Sequence, residues 1–143
     1  MNERQIVFVT SNLGKVKSAK RCLRDVEVIQ YNAELIEPRG DDIREIAKQK
    51  VKQAYKIAKK PCIAMDAGFF IEELNGFPRA YVNHTLDTIG IEGILKLMEG
   101  KENRGCEFKE CLAYYDGDII NFFEGVTKLK VSKKGNVKSS MKN

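Results

Sequence analysis

Short apolar runs alternate with polar turns along this chain in a pattern that predicts strands and helices in mixed order. Residues 5–10 (Gln-Ile-Val-Phe-Val-Thr) are a continuous apolar run ending in a polar turn, as expected of a strand buried on both faces. Ser11-Asn12-Leu13-Gly14 is the turn, and Val16, Ala19 and Leu23 share one face of a helix from Lys15 to about Leu23. Residues 26–31 alternate enough for a second strand, and Glu37-Pro38-Arg39-Gly40 is a loop. The clearest helix covers 43–58: Ile43, Ile46, Ala47, Val51, Ala54, Ile57 and Ala58 form one face and lysines crowd the other. Asp42 followed by Glu45 supplies a capping-box start, and Lys59-Lys60-Pro61 stops the helix.

Residues 61–66 (Pro-Cys-Ile-Ala-Met-Asp) predict a third strand ending in an acid, and 69–74 a further one before the turn Asn75-Gly76-Phe77-Pro78. Helical periodicity runs from about Ala80 to Met98, interrupted near Gly90. Residues 106–115 and 118–124 flank Asp116-Gly117, a hairpin signal, and about 126–131 reads as a last antiparallel strand. The resulting order, β-α-β-α-β-β-α-α-β-β-β, describes an α/β protein with a mixed sheet. Two strand ends meet polar loops, at Thr10-Ser11-Asn12 and at Asp66-Ala67-Gly68, and ligand crevices of α/β sheets lie where strands end.

Length and composition narrow this picture without changing it. At 143 residues, 43% hydrophobic and 31% charged, the chain is an ordinary globular one, with residues 1–131 as a single domain. No apolar run, Ile6 to Val9 included, is long enough to span a bilayer, and Met1 to Gln5 lead into no secretory-type core. A cytoplasmic location is the expectation. The net charge of +5 belongs to the end of the chain: residues 126–143 hold six lysines and no acid, which leaves 1–125 at −1. Residues 132–143 read as a flexible basic tail, and charge confined to a tail argues against nucleic-acid binding as the main function. The four cysteines form no CxxC pair, and Cys22 and Cys62 suit small buried hydrophobes. One histidine, His84, builds no multi-histidine metal centre.

Two groups of residues could carry chemistry. Thr10-Ser11-Asn12-Leu13-Gly14-Lys15 takes a strand through a polar turn into a helix start, where N–H groups, hydroxyls and a lysine favour an anion such as phosphate. The same residues also fit a plain strand–turn–helix with Asn12 or Ser11 as its cap. Glu37 and Asp66, from separate segments, could hold Mg²⁺ together with phosphate oxygens, or Asp66 could simply cap a turn.

In order and spacing, Phe8-Val9-Thr10-Ser11-Asn12-Leu13-Gly14-Lys15, Leu35-Ile36-Glu37-Pro38-Arg39-Gly40, and Asp66-Ala67-Gly68 through Asn75-Gly76-Phe77-Pro78 resemble the Ham1 family, the inosine-triphosphate pyrophosphatases. Gly90 to Gly100 and Asn103 to Gly125 continue the likeness over nearly the whole chain. The resemblance implies a mixed-sheet fold of two lobes around a central cleft, a homodimer, and Mg²⁺-dependent hydrolysis of non-canonical purine nucleoside triphosphates to monophosphate and pyrophosphate. By position, Thr10, Ser11, Asn12, Lys15 and Gly68 would bind substrate. Glu37 and Asp66 would hold the metal, with Lys15 and Asp66 catalytic.

The chain also departs from the family pattern. Ser18 replaces a common glutamate, Met65 a usual acid, Ala67 a Ser or Thr, and Arg79 a common glycine. The glycine/aromatic/aspartate stretch, the Thr/Ala/Glu segment and the Ser-His-Arg block that reads the purine are not found before Asn143. These departures leave open a non-catalytic nucleotide-binding or protein-interaction relative. A Maf-like pyrophosphatase fits less well, because of the Asn75-Gly76-Phe77-Pro78 block.

Overall fold

The computed structural model describes residues 4–133. From 134 onward, the expected tail lies outside the described residues. Strand β1 (Arg4–Val9) leads into helix α1 (Leu13–Cys22), strand β2 (Val26–Tyr31) and helix α2 (Ile43–Ala58). Strand β3 (Cys62–Ile71) is followed by a 3₁₀ turn (Glu72–Leu74), the short strand β4 (Pro78–Arg79), and helices α3 (Val82–Thr88) and α4 (Gly90–Leu97). Strands β5 (Gly105–Tyr115) and β6 (Ile120–Lys130) complete the sequence. The sheet order is β2-β1-β3-β5-β6, with β4 paired to β3. It is mixed: β1 runs parallel to β2 and β3, whereas β4 is antiparallel to β3.

Chain contacts divide the protein into two compact units. Among the described residues, the first comprises 4–66 and 111–123, the second 67–110 and 124–133. In the first, β1 is buried on both faces as its apolar run predicts: Val7, Phe8 and Val9 are all buried. Phe8, Val28 and Ile63 pack with Val16 and Ala19 of α1. Helix α2 packs against β1 and buries Ile43, Ile46, Ala47, Val51 and Ala54. Its start is capped by the Asp42 carboxylate, which accepts from the Arg44 and Glu45 amides at 3.0 and 3.4 Å.

The second unit is built on Phe69, Ile71, Val82, Ile94, Met98, Cys106 and Val131. Arg104 ties its backbone together. The guanidinium donates to the carbonyls of Met98 at 2.6 Å, Lys101 at 3.3 Å, Val131 at 3.1 Å and Ser132 at 2.9 Å. One planar cation thus satisfies carbonyls at the end of α4 and beyond β6. Replacing Arg104 with Met is expected to destabilise this unit by about 2–4 kcal/mol, since part-buried carbonyls lose charge-assisted donors. Urea unfolding with Cys106 alkylation as the local readout checks it.

Several sequence expectations need correction. Residues 61–66 and 69–74 are not two strands. The chain runs straight from Cys62 to Ile71. Ala67-Gly68 is therefore no loop, and Asp66 lies within a strand instead of at its end. Gly68 permits this by its lack of a side chain: a Cβ there would sit 2.8 Å from the Phe70 ring and 3.0 Å from the Arg79 carbonyl oxygen. Likewise 118–124 and 126–131 are one strand, because an exposed glycine at 125 interrupts no ladder. Cys22 is exposed, not buried. Cys62 and Cys106 are buried, and burial pushes both thiols up to about 11, away from thiolate reactivity at neutral pH. Among the described residues no helix is long and apolar enough to cross a membrane.

Candidate functional site

The connection from β1 to α1 is tightly organised. Thr10 receives the Gln30 side-chain amide on its carbonyl at 2.9 Å and donates its own amide to the Tyr31 carbonyl at 3.0 Å. Its hydroxyl oxygen accepts from the Asn12 amide at 3.1 Å. Asn12 caps α1, its Oδ1 accepting from the Lys15 amide at 3.2 Å. The capping geometry is thus realised. It does not consume the donors, because a hydroxyl that accepts still has its O–H to give and a capping carboxamide still has its NH₂.

These residues line a polar hollow of ~250 Å³ in the first unit. Thr10, Ser11, Asn12 and Lys15 form one side, and Glu34, Leu35 and Glu37 of the loop after β2 form another. Enclosing a drug-sized ligand takes roughly 300–1,000 Å³, so this hollow suits part of a nucleotide, such as its phosphate chain, better than all of it.

Sequence reasoning missed Lys50, a side chain that ties the hollow together. Its ammonium donates to the Met65 carbonyl at 3.0 Å and pairs with the Glu37 carboxylate at 3.4 Å. The lysine side chain is only 12% exposed, while that of Glu37 is 63% exposed. A signal was present in the periodicity: Lys50 stands seven residues after Ile43 and next to Val51, on the apolar stripe of α2. A charged residue on such a stripe needs a buried partner. Glu34 was also missed, and nothing in its local sequence marks it.

Lys15 feels the whole cluster. Loss of water around its ammonium holds it below the usual lysine value, and Lys50 pushes the same way. The carboxylates of Glu37 and Asp66 pull it back. The structure thereby brings Lys15, Glu37 and Asp66 into one electrostatic neighbourhood, although they come from α1, the loop after β2, and β3. Asp66 is half-buried, with its Oδ2 sealed from solvent. Met65 packs its side chain into the α1 cluster while its carbonyl receives Lys50. Gly68 belongs to the second unit, where it packs on the Phe70 ring. His84 is exposed on α3.

No group of three or more His, Cys, Asp or Glu among the described residues could hold a metal ion by itself. Two carboxylates such as Glu37 and Asp66 are the ligand type Mg²⁺ takes, one or two of them with substrate phosphate oxygens and water completing its shell. The donor set thus suits a cation that is held jointly by protein and phosphate.

Comparison with known proteins follows the same lines. A family model described as the Ham1 family matches residues 6–139. The dITP/XTP pyrophosphatase of Thermococcus kodakarensis is 38% identical over 120 residues, covering 82% of this chain and 65% of that protein. That of Saccharolobus solfataricus is 36% identical over 130 residues, covering 90% and 68%. The chain thus spans about two thirds of the length of these curated relatives. A HAM1 protein from Coxiella burnetii superposes with a TM-score of 0.80 at 22% identity, covering 92% of this chain and 74% of that one. The Staphylococcus aureus Ham1 protein gives 0.74 at 24%, covering 89% and 72%. The mixed α/β architecture read from the sequence is the fold these structures share.

Proposed function

Because this chain belongs to the Ham1 family, we propose that it is a Mg²⁺-dependent pyrophosphatase of non-canonical purine nucleoside triphosphates. Water attacks the α-phosphorus, the bond to the bridging oxygen breaks, and the products are the nucleoside monophosphate and pyrophosphate. The observation that carries this reading is that Lys15 and Glu37, from distant segments, line one polar hollow, while Asp66, outside its lining, acts electrostatically on Lys15. Two of the relatives compared with this chain are named dITP/XTP pyrophosphatases, which points to hypoxanthine and xanthine nucleotides as the substrates to try first.

This reading divides the labour among the residues of the hollow and Asp66. Thr10, Ser11, Asn12 and Lys15 hold the phosphate chain at the start of α1, where hydroxyl, carboxamide and ammonium donors meet the positive end of the helix. A bound Mg²⁺, held by Glu37 and Asp66 together with phosphate oxygens, would neutralise charge on the transferring group. Asp66 orients the attacking water and accepts its proton. Lys50 keeps the Glu37 carboxylate in place.

Purified protein incubated with dITP, XTP, ATP and GTP plus Mg²⁺ tests the proposal. The expected result is pyrophosphate and monophosphate from dITP and XTP, at rates well above those for ATP or GTP. Release of orthophosphate instead, or no turnover of any triphosphate, overturns it. A nucleotide-dependent rise in melting temperature without turnover is the signature of a non-catalytic relative. Replacing Lys50 with Met should raise the Mg²⁺ concentration for half-maximal turnover about tenfold, because Glu37 loses its anchor. A Mg²⁺ titration of pyrophosphate release measures this. A cytoplasmic homodimer belongs to the same reading. The exposed Ile119 and Phe123, at the first-unit end of β6, support the dimer, and sedimentation of the purified chain tests it.

A further inference from the structure

The lining of the hollow holds two cationic side chains, Lys15 and Lys50, and two anionic ones, Glu34 and Glu37. Its formal charge is therefore zero. Half of the positive charge is already committed, since Lys50 pairs with Glu37 at 3.4 Å. Asp66 adds a further negative field at Lys15. A site built to hold a bare polyphosphate would show a clear cationic excess, and this one does not.

Glu34 is the member of this set that the proposed chemistry leaves without a role. Its Oε1 lies 3.5 Å from the Ser11 hydroxyl, at the entrance to α1, where a phosphate oxygen would be received. That distance is long for a hydrogen bond, so the contact locates the carboxylate more than it binds it. An anion entering beside Ser11 meets a like charge at close range, on exposed side chains where solvent screens the repulsion only in part.

We infer that Glu34 makes occupation of this hollow conditional on a divalent cation: its carboxylate excludes the free polyphosphate and admits the metal-complexed form. The selectivity lies in repulsion of the wrong species, which costs the complexed substrate little because the cation offsets the charge at the Ser11 side. This inference rests on the reading of the hollow as a phosphate site.

Calorimetric titration of the full chain with inorganic tripolyphosphate, in excess Mg²⁺ and separately in EDTA at fixed ionic strength, tests both. The proteins are the native chain, Glu34→Gln and Glu34→Asp, with thermal melts confirming that each is folded. The native chain is expected to bind the Mg²⁺ complex at least about tenfold more tightly than the free anion. Glu34→Gln should shrink that ratio about fivefold, by strengthening metal-free binding, as removal of one facing charge predicts. Glu34→Asp should keep the native ratio. If Glu34→Gln binds the free anion no better than the native chain, the role of Glu34 is overturned and the phosphate site stands. Equal binding of both forms by the native chain overturns that role in the same way. If none of the three proteins binds tripolyphosphate in either condition, the phosphate site itself is overturned, and this inference with it.

Discussion

With Asp66 replaced by Asn, pyrophosphate release from dITP and XTP is expected to fall by about 10²–10⁴-fold while the protein stays folded. Asn keeps the shape of the side chain and removes its charge and its capacity to take a proton. Asp66 sits within β3, not in a free loop, and its Oδ2 is sealed from water. Asn fills the same volume within β3, so the melting temperature should change little. Loss of turnover with unchanged stability then assigns Asp66 to the reaction. A variant retaining more than about a tenth of native turnover would remove Asp66 from the acid–base role, because a positioned base is worth far more than that.

The second large effect is expected at Lys15. Replacing it with Ala should lower kcat/KM by about 10²–10³-fold, the loss expected when one positioned donor to a charged transition state is deleted. The pH profile gives an independent reading. Reduced hydration and the nearby Lys50 hold the Lys15 ammonium below the ordinary lysine value. If the ammonium form is the active one, kcat/KM must fall on the alkaline side as pH rises through that lowered value, earlier than an ordinary lysine would allow. Lys15→Arg keeps the charge and titrates far higher, so it should retain partial activity and move the alkaline limb upward. An unshifted limb in Lys15→Arg would assign that titration to another group.

Both predictions concern residues legible in the sequence, and their legibility has a physical basis. The apolar run 5–10 followed by Thr10-Ser11-Asn12 announces a strand feeding a helix start, and the structure builds this with Asn12 as the cap. Helix 43–58 falls between the residues that its amphipathic pattern and Asp42 cap indicate. Strand 26–31 is also where alternation places it. Such elements depend on neighbours within a turn or two, which any local reading can see.

The misreadings share a cause. At Asp66-Ala67-Gly68 an acid and a glycine look like a turn, yet Gly68 is in the strand because the Phe70 ring and the Arg79 carbonyl leave no room for a side chain. At Gly125 the same residue type lies on an open stretch of strand with nothing near it. Glycine permits a turn without requiring one, and only the packing around it decides. Lys50 escaped notice among many lysines on α2, and its partners, Glu37 and the Met65 carbonyl, lie 13 and 15 residues away. Met65, which the sequence marks as a lost acid, turns its side chain into the apolar cluster below α1.

Taken by itself, the amino-acid order determined the α/β class, most helix and strand positions, and the three side chains to watch: Lys15, Glu37 and Asp66. The class and element positions follow from periodicity and capping chemistry, which act over short stretches of chain, whereas the roles of the three side chains came from the resemblance to the Ham1 family. Tertiary structure alone decided that the three share one electrostatic neighbourhood, that Lys50 anchors Glu37, and that Glu34 stands beside Ser11. Coulomb forces depend on separation in space, and the parallel pairing of β1 with β2 and β3 sets that separation, whatever the distance along the chain.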